Sequence, residues 1–227
     1  MFQEFPKIAR LSRTCLISEK IDGTNAQVFI WDECHIPPAA SSDIVSTSVG
    51  PPPADIPFVW SAEGIHIAAG SRSRWITPLD DNYGFAKWVH ANVEQLAYLG
   101  HGRHFGEWWG SGCQRGYGLP KGEKRWSLFN LARWCAHDKP PERIETQDPR
   151  IEKYQDVLPA CCHLVPLLYK GLFTTDTCDH VLEQLRAFGS AAAPGFMQPE
   201  GIVCWHGAAN IGFKKTLLKD EVPKSLK

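Results

Sequence analysis

The chain has 227 residues, of which 43% are hydrophobic, and its formal net charge is −1. That length is sufficient for one substantial core, so we expect a single domain over residues 1–227. The near-neutral charge excludes a general positive field for nucleic acid, and any such surface must be local. No segment approaches the roughly 18 apolar residues of a membrane span, and the amino terminus lacks an apolar run of signal-peptide length. We therefore expect a soluble protein of the cytoplasm with no membrane partner.

Eight cysteines are scattered along the chain, with no two-residue spacer pairs and no recurring interval. Structural zinc sites usually show such spacing, so a zinc centre is not expected. In a reducing compartment the cysteines are predicted to be free thiols, many of them small core residues.

The first part of the chain is predicted to form strands interrupted by a long loop. Residues 14–20 and 26–31 are strand-forming runs, and Gly23 between them permits a tight turn. Residues 36–57 are rich in Pro, Ser and Ala and cannot form a regular helix or a central strand. We expect this segment to be an exposed loop insertion before a strand near residues 58–60.

The rest of the chain mixes helical and strand patterns. Apolar residues recur at helical spacing over residues 82–99, with Asp81 or Asn82 as a cap and Gly100 just beyond. A second helix is predicted over residues 177–188, ending at Gly189. Strands are predicted at residues 103–108, 125–132, 163–169, 201–205 and 210–216. The pattern indicates an α+β fold with antiparallel sheets and helices packed outside.

The hexapeptide at residues 20–25, Lys-Ile-Asp-Gly-Thr-Asn, places a lysine at a strand end beside a turn. A lysine in water has a pKa of about 10.4, so only about one amine in a few thousand is neutral at pH 7. Desolvation, neighbouring cations or a bound divalent metal lower that value. The segment is therefore suited to holding a lysine amine against a nucleotide phosphate. Alone, it is equally compatible with a surface hairpin that carries a solvated lysine.

Five further motifs follow in sequence order: Ser-Arg-Ser-Arg at 71–74, Phe-Gly-Glu-Trp-Trp-Gly at 105–110, Arg-Trp-Ser-Leu-Phe-Asn at 125–130, Pro-Glu-Gly-Ile-Val at 199–203 and Gly-Phe-Lys-Lys at 212–215. With the hexapeptide, the series resembles the motifs of the covalent nucleotidyltransferases, the superfamily of polynucleotide ligases and messenger RNA capping enzymes. DNA ligases and capping enzymes usually carry arginine at position 25, whereas Thr24-Asn25 resembles the RNA ligase 2 type. The chain thus resembles an ATP-dependent RNA ligase.

The resemblance implies an ATP-grasp-like nucleotidyltransferase domain and a reaction in three steps. Lys20 would attack the α-phosphorus of ATP and become a lysyl-adenylate. The AMP would then pass to a 5'-phosphorylated RNA end, and a 3'-hydroxyl would displace it to seal the two ends. The implied partners are RNA ends, and the implied cofactors are ATP, held as covalent AMP, and Mg2+ or Mn2+.

The resemblance also assigns roles to individual residues. Glu19 would recognise the adenine edge, and Asp22 and Gly23 would shape the loop around the lysine. Asn25 would support contacts at the reacting phosphates. Arg72 and Arg74, two residues apart on an extended segment, would face the same side and bind phosphate oxygens or ribose hydroxyls, although the sequence does not decide which arginine faces the nucleotide.

The later motifs complete the predicted site. Glu107 would accept hydrogen bonds from the ribose hydroxyls, and Trp126 would stack on adenine because it lies three residues before a second aromatic residue. Glu200 would hold Mg2+ or Mn2+ near the phosphates. Lys214 and Lys215 are adjacent, so only one of them should face the α-phosphate on a regular strand. Lys20, Lys214 and Lys215 are the predicted catalytic residues. We favour Lys214 for the α-phosphate contact, and the alternative for Lys215 is a contact with RNA.

Basic residues outnumber carboxylates between residues 101 and 133, with aromatic residues interleaved among them, which would suit a surface that tracks phosphates. The sequence continues only about a dozen residues past the last motif, so we expect no C-terminal appended domain. Such a core either seals RNA alone or depends on a helper protein that holds the ends. Three other functions stay open: a DNA nick ligase, a guanylyltransferase, and a protein that binds nucleotides or RNA ends with little or no sealing.

Overall fold

The structure is a computed structural model, and it describes residues 8–32, 56–57, 59–62, 64–134 and 158–218. The chain divides into two compact units. The first unit comprises residues 1–22 and 165–227, and the second comprises residues 23–164. Most of the predicted loop insertion at 36–57 lies outside the described residues.

The described strands, in chain order, are β1 Thr14–Lys20, β2 Thr24–Asp32, β3 Trp60–Ala62, β4 Ile65–Ser71, β5 Trp75–Ile76, β6 Gly102–Gly110, β7 Lys124–Leu128, β8 Cys162–Leu164, β9 Leu167–Leu172, β10 Gly201–His206 and β11 Ile211–Thr216. The described α-helices are α1 Phe85–Ala91, α2 Val93–Leu96, α3 Leu131–Trp134 and α4 Thr175–Phe188, and a 3-10 turn covers Ala97–Leu99. This mixture confirms the predicted α+β class, with antiparallel pairing dominant. No described helix is long and apolar enough to cross a membrane.

The first unit contains a four-stranded antiparallel sheet in the order β11-β10-β1-β9. Helix α4 packs on one face of this sheet through apolar side chains, which are Cys15, Ile17, Ile202 and Cys204 from the strands and Val181, Leu182 and Leu185 from the helix. Thr174 caps the helix by accepting a hydrogen bond from the Thr177 amide at 3.0 Å, and Gly189 follows its last turn. The sheet therefore has one face covered by the helix, which confirms the predicted second helix.

The second unit contains a larger sheet in the order β3-β4-β2-β6-β7-β8, with β5 paired to β4. All its pairs are antiparallel except β7 with β8. Helices α1 and α2 cover one face, where the largest core cluster includes Val28, Ile67, Phe85, Trp108 and Trp126. Strands β1 and β2 belong to different sheets, so the chain around Gly23 links two sheets and is not a hairpin turn.

The helix predicted over residues 82–99 is broken in the structure. Helix α1 begins only at Phe85, and Asn92 separates it from α2 with φ −124° and ψ 18°. The Asn92 side chain donates to the Trp88 carbonyl at 2.8 Å, and its backbone amide donates to the Val89 carbonyl at 3.1 Å. Asparagine competes in this way with regular helical hydrogen bonds, which explains the break.

Two of the predicted strands are too long. Strand β7 ends at Leu128, and the side chain of Asn130 then accepts a hydrogen bond from the Arg133 amide at 3.0 Å, which starts α3. The strand predicted over residues 163–169 is two strands, β8 and β9, separated at Pro166. Proline has no amide hydrogen to donate to a sheet, so the ladder stops there.

Candidate active site

Lys20 is the last residue of β1, and its partner in the β10 ladder is Gly201. This register brings Glu200, the residue before β10, beside the lysine. Lys20 Nζ lies 2.6 Å from Glu200 Oε2, and the side chains are 25% and 18% exposed. The structure thus joins two motifs that are 180 residues apart in the sequence, as a partly buried ion pair open to an approaching ligand.

Strand register separates the two adjacent lysines of β11. Lys214 is opposite Val203, which is itself opposite Ser18 on β1. Directly opposed residues project from the same face of a sheet, and so do residues two apart on a strand. Lys214 therefore lies on the face of Lys20. Its predicted contact with the α-phosphate stays a prediction.

Lys215 lies on the opposite face, which is the face covered by helix α4. It is opposite Ile202, a core residue, and its Nζ pairs with the Asp179 carboxylate on α4. The structure therefore gives Lys215 a helix contact and does not place it with Lys20 among the predicted catalytic residues.

Glu19, which was predicted to recognise the adenine edge, also projects to the helix face, and its carboxylate is engaged within the first unit. The carboxylate is only 1% exposed, and it accepts hydrogen bonds from Ser190 Oγ at 2.6 Å and from the amides of Ala191 and Ala192 at 2.8 and 2.9 Å. Burial raises the pKa of this carboxyl group, although the hydrogen bonds from the hydroxyl and the two amides oppose the shift. Glu19 fixes the loop after α4.

In the second unit, Glu107 of β6 forms the centre of a polar cluster. Its Oε1 accepts the Gly23 amide at 3.0 Å, and its Oε2 accepts Asn25 Nδ2 at 3.0 Å. Asn25 is directly opposite Glu107 in the β2–β6 ladder. The hexapeptide and the Glu107 motif are thus brought together by strand pairing, with the carboxylate buried at 8% exposure.

Gly23 does not adopt a positive φ, so its backbone conformation does not require glycine. The space around it does, because neighbouring atoms approach it closely. A Cβ atom at this position would lie 2.4 Å from the Trp108 carbonyl oxygen and 2.8 Å from Trp109 Cβ. Asp22 lies just before it, half-buried at the end of the first unit. Asn82 Nδ2 donates to Thr24 Oγ1 at 3.0 Å, which fixes the start of β2.

The structure places Trp126, which was predicted to stack on adenine, in the core of the second unit. Its side chain is fully buried, and its ring packs 5.5 Å from Phe85 and 5.7 Å from Trp88, measured between centroids. Trp126 is opposite Trp108, whereas Glu107 is opposite Ser127, so Trp126 and Glu107 lie on opposite faces. Of the two aromatic residues in this motif, Trp126 is buried and Phe129 is exposed.

Phe105 and Phe129 are exposed aromatic residues of the two neighbouring motifs, and neither is among the site residues predicted from the sequence. Phe105 precedes Glu107 by two residues on β6, and the Phe129 amide donates to the Phe105 carbonyl at 2.9 Å. Both side chains are large, apolar and exposed, at 43% and 41%. Strand alternation is a signal that identifies them. Phe105 is two residues before Glu107, and Phe129 is two residues after Ser127, the residue opposite Glu107.

Arg72 and Arg74 lie on the short hairpin between β4 and β5, within the second unit. Arg74 pairs with the Asp80 carboxylate at 2.5 Å, and both side chains are largely exposed. Arg72 is exposed at the tip. The structure therefore does not bring these arginines into the hydrogen-bonded cluster around Glu107.

The basic stretch at residues 101–133 does not provide a uniform row of available cations. Arg125 pairs with the Glu123 carboxylate at 2.6 Å and lies over the ring of Trp109. Arg133 donates to the Leu99 carbonyl at 2.7 Å and stacks on Trp134. Some of the predicted phosphate-tracking residues thus serve the fold of the second unit.

A strand-end lysine paired with a carboxylate, on a sheet whose edge strand carries a further lysine on the same face, defines a candidate covalent nucleotidyltransferase. The family comparison agrees: the model of the RNA ligase family matches residues 13–219, so the chain belongs to the RNA ligase family. No curated protein matches the sequence.

Solved structures resemble the chain in fold. A variant of Naegleria gruberi RNA ligase with ATP and Mn is 16% identical with a TM-score of 0.51, and the match covers 91% of this chain and 50% of that one. A second variant of the same ligase, also with ATP and Mn, gives 16% identity and a TM-score of 0.49 over 89% of this chain and 49% of that one. The chain spans about half the length of the ligase chains that it matches. At this identity, the match at 0.51 shows that the two proteins share the nucleotidyltransferase fold.

Proposed function

We propose that this chain is the nucleotidyltransferase part of an ATP-dependent RNA ligase, which joins 3'-hydroxyl and 5'-phosphate ends through a lysyl-AMP intermediate. The observation that carries the proposal is the Lys20–Glu200 ion pair at 2.6 Å, with Lys214 on the same sheet face. An amine, a carboxylate and a second cation on one exposed face are the groups that phosphoryl transfer from a nucleotide requires.

In the first step, Lys20 Nζ attacks the α-phosphorus of ATP. A nitrogen–phosphorus bond forms, the bond to the β-phosphate oxygen breaks, and pyrophosphate leaves with the electron pair. The attacking nitrogen lies 2.6 Å from Glu200 Oε2, so the carboxylate is next to the reacting amine. Lys214 supplies a positive charge that stabilises the negative charge developing on the phosphate.

In the later steps, the 5'-phosphate of an RNA end attacks the lysyl-adenylate and releases Lys20. The product is an adenylylated end joined by a pyrophosphate bond. A 3'-hydroxyl then attacks the 5'-phosphorus, forms the phosphodiester and expels AMP. The Thr24-Asn25 pair, which resembles RNA ligases, supports RNA as the substrate.

The residues on the Lys20 face fit a divalent cation. Glu200 offers a hard carboxylate oxygen that is partly exposed. No group of three or more His, Cys, Asp or Glu side chains suited to a metal occurs in the described residues. Mg2+ commonly binds through one or two carboxylates together with water and substrate phosphates, so a single carboxylate is sufficient. When bound at Glu200, Mg2+ or Mn2+ would supply charge that neutralises the phosphates and the carboxylate beside Lys20.

The second sheet carries groups of the kind that bind a nucleoside. Glu107 contacts the ribose hydroxyls, while Gly23 and Asn25 hold its carboxylate in one orientation. Phe129 is the proposed platform for adenine, because it is exposed and follows the strand that pairs with the Glu107 strand. Stacking on such a ring contributes roughly 1 to 3 kcal/mol. The ATP and Mn named for the solved ligases also support a nucleotide and a metal here.

The test is incubation of the chain with α-labelled ATP and Mg2+, followed by denaturing electrophoresis. We expect acid-labile label on the protein and none on Lys20→Ala. Lys87→Ala, which removes an exposed lysine on α1, is the matched control and should keep its label. Equal labelling of Lys20→Ala would refute the assignment of the nucleophile, and labelling by GTP in preference to ATP would favour a guanylyltransferase.

A second measurement separates the RNA ligase from a DNA nick ligase. Nicks that differ only in a ribose or deoxyribose at the 3'-terminal nucleotide are sealed in parallel. Faster sealing of the ribose end is expected. Equal rates would leave a general polynucleotide ligase, and label without sealing would indicate a protein that binds and activates ends but does not join them.

A further inference from the structure

A cleft in the second unit lies beside the β4–β5 hairpin. Its volume is about 580 Å³, and it is lined by Gln27, Pro57, Arg72, Ser73, Arg74, Trp75 and Arg103. The hairpin itself is tightly closed, because Ser71 N and Ser71 Oγ both donate to the Arg74 carbonyl, at 2.8 and 3.1 Å. The backbone therefore presents Arg72 at a fixed tip, next to the cleft.

Gln27 connects this hairpin to the neighbouring strand. Its Nε2 donates to the Ser71 carbonyl at 3.1 Å, and its Oε1 accepts Arg103 Nη1 at 3.2 Å. Gly70 leaves room for this side chain, since a Cβ atom there would lie 2.8 Å from Gln27 Cγ. One amide thus fixes both the hairpin and the guanidinium of Arg103.

Arg103 is further oriented by two aromatic rings. Its guanidinium carbon lies 4.5 Å from the centroid of Phe29 and 5.1 Å from that of Trp75. Stacking of this kind fixes the guanidinium plane, and a planar fork with several donors matches phosphate oxygens. The cation is therefore positioned before any ligand arrives.

The charge of the cleft differs from that of the whole chain. Three arginines line it in a protein whose formal net charge is −1. Asp80 pairs with Arg74, and within the described residues no ion-pair partner is found for Arg72. The combination of two further cations and a half-buried tryptophan is typical of surfaces that follow a nucleic acid backbone.

We propose that this cleft binds phosphates of the RNA strand, with Arg103 and Arg72 as the phosphate-binding residues and Gln27 as a positioning residue. The inference rests on the proposed function, and it replaces the nucleotide contact that the sequence predicted for Arg72 and Arg74. The same chemistry would also accept the triphosphate of ATP, and the experiment separates these two sources of phosphate.

The probe is a short, single-stranded, 5'-phosphorylated oligoribonucleotide with a fluorophore on a blocked 3' end, and its binding is measured by anisotropy without ATP. Arg72→Ala is the main variant because Arg72 lies at an exposed turn and its loss should not disturb folding. Arg186→Ala, on the exposed surface of α4, is the control with the same charge change. We expect about tenfold weaker RNA binding for Arg72→Ala and no change for the control.

The salt dependence gives a second expected result. Each lost phosphate contact should reduce the slope of log K against log salt by about 0.7 for a single strand. Arg103→Lys keeps the charge but loses the planar fork, so it should weaken RNA binding while keeping most of the slope. An unchanged affinity in both Arg72→Ala and Arg103→Lys would overturn the proposal.

Labelling by α-labelled ATP is measured on the same samples. Normal labelling of Arg72→Ala together with weak RNA binding supports an RNA site. Weaker labelling of this variant would assign the cleft to ATP and overturn the proposal. If the unaltered chain takes no label, the ligase function fails, but the anisotropy comparison still tests the cleft independently.

Discussion

The two sheets place their candidate site residues by the same rule but with different chemistry. In the first unit, helix α4 covers one face of the sheet, and Lys20, Glu200 and Lys214 are associated with the other face. In the second unit, helices α1 and α2 cover one face, and Glu107 and Asn25 lie on the other. The first set is charged and partly exposed, whereas the second consists of a buried carboxylate held by neutral donors.

The comparison shows that neighbouring residues of a motif have different roles when they alternate across a sheet. Lys215 and Glu19 lie on the helix face of the first sheet, where their partners belong to α4 and the loop after it. Trp126 lies on the helix face of the second sheet, within the core. Substitutions on the open face should therefore affect labelling by ATP, whereas substitutions on the covered face should mainly affect stability.

The largest expected effect concerns the second sheet. Trp126→Ala should lower the free energy of unfolding by about 3 to 5 kcal/mol, because it removes a fully buried ring from the core. Phe129→Ala should leave stability nearly unchanged and raise the KM for ATP by about 5- to 150-fold, which corresponds to the roughly 1 to 3 kcal/mol of base stacking. Urea unfolding and labelling at varied ATP concentrations test both. A stable Trp126→Ala protein with a raised KM for ATP would support the prediction that Trp126 stacks on adenine.

The next effect concerns the adjacent lysines of β11. Lys214→Ala should slow adenylate formation by about 100- to 1,000-fold, because a cation that stabilises developing charge is lost. Lys215→Ala breaks an exposed ion pair with Asp179, so its rate should be within a few-fold of the original. Single-turnover labelling compares the two rates. If Lys215→Ala is the slower variant, the assigned faces of β11 are wrong.

A third prediction uses a group buried on the helix face of the second sheet. Burial lowers the pKa of His104 to about 4, and its Nε2 donates to the Gly100 carbonyl at 2.9 Å. The unfolded chain therefore binds a proton that the folded chain does not between about pH 6.5 and pH 4. This stabilisation is present above about pH 6.5 and is lost as the pH falls, by about 1.4 kcal/mol per pH unit.

The measurement is urea unfolding of the unaltered chain and of His104→Gln, whose amide can donate to the same carbonyl. The difference between the two free energies isolates the histidine, since the other titrating groups are shared. We expect the unaltered chain to lose stability relative to His104→Gln as the pH is lowered below about 6.5. A difference that is independent of pH would show that His104 is not buried in its neutral form.

The smallest expected effect compares two buried carboxylates, Glu19 and Glu107. Glu19→Gln should lower stability by about 1 to 3 kcal/mol, because one acceptor for the Ser190 hydroxyl or a loop amide is lost. Its labelling rate should be unchanged at a temperature where it is folded. Glu107→Gln should instead raise the KM for ATP. If Glu19→Gln also alters the KM for ATP, Glu19 is not merely structural, and its predicted recognition of adenine is supported.

Sequence periodicity predicted the regular elements where local preference and burial agree. Helix α4 has apolar residues at helical spacing, a threonine cap and a terminal glycine, so its prediction was confirmed within two residues. The prediction of one helix over residues 82–99 was wrong at Asn92, where the side chain donates to the Trp88 carbonyl. The spacing of apolar residues does not reveal such a local side-chain hydrogen bond. The single strand predicted over residues 163–169 is interrupted at Pro166, because proline has no amide hydrogen to donate to a sheet.

By itself, the sequence determined the family, the order of the motifs and the position of Lys20 at a strand end. It also determined that Lys214 and Lys215 cannot both face one side of a strand. Only the tertiary structure decided which faces the helices cover. That choice assigned Lys215, Glu19 and Trp126 to structural contacts and exposed Phe129. The physical reason is that a side chain's direction follows from strand alternation, which the sequence shows, but its surroundings follow from long-range pairing and packing, which it does not.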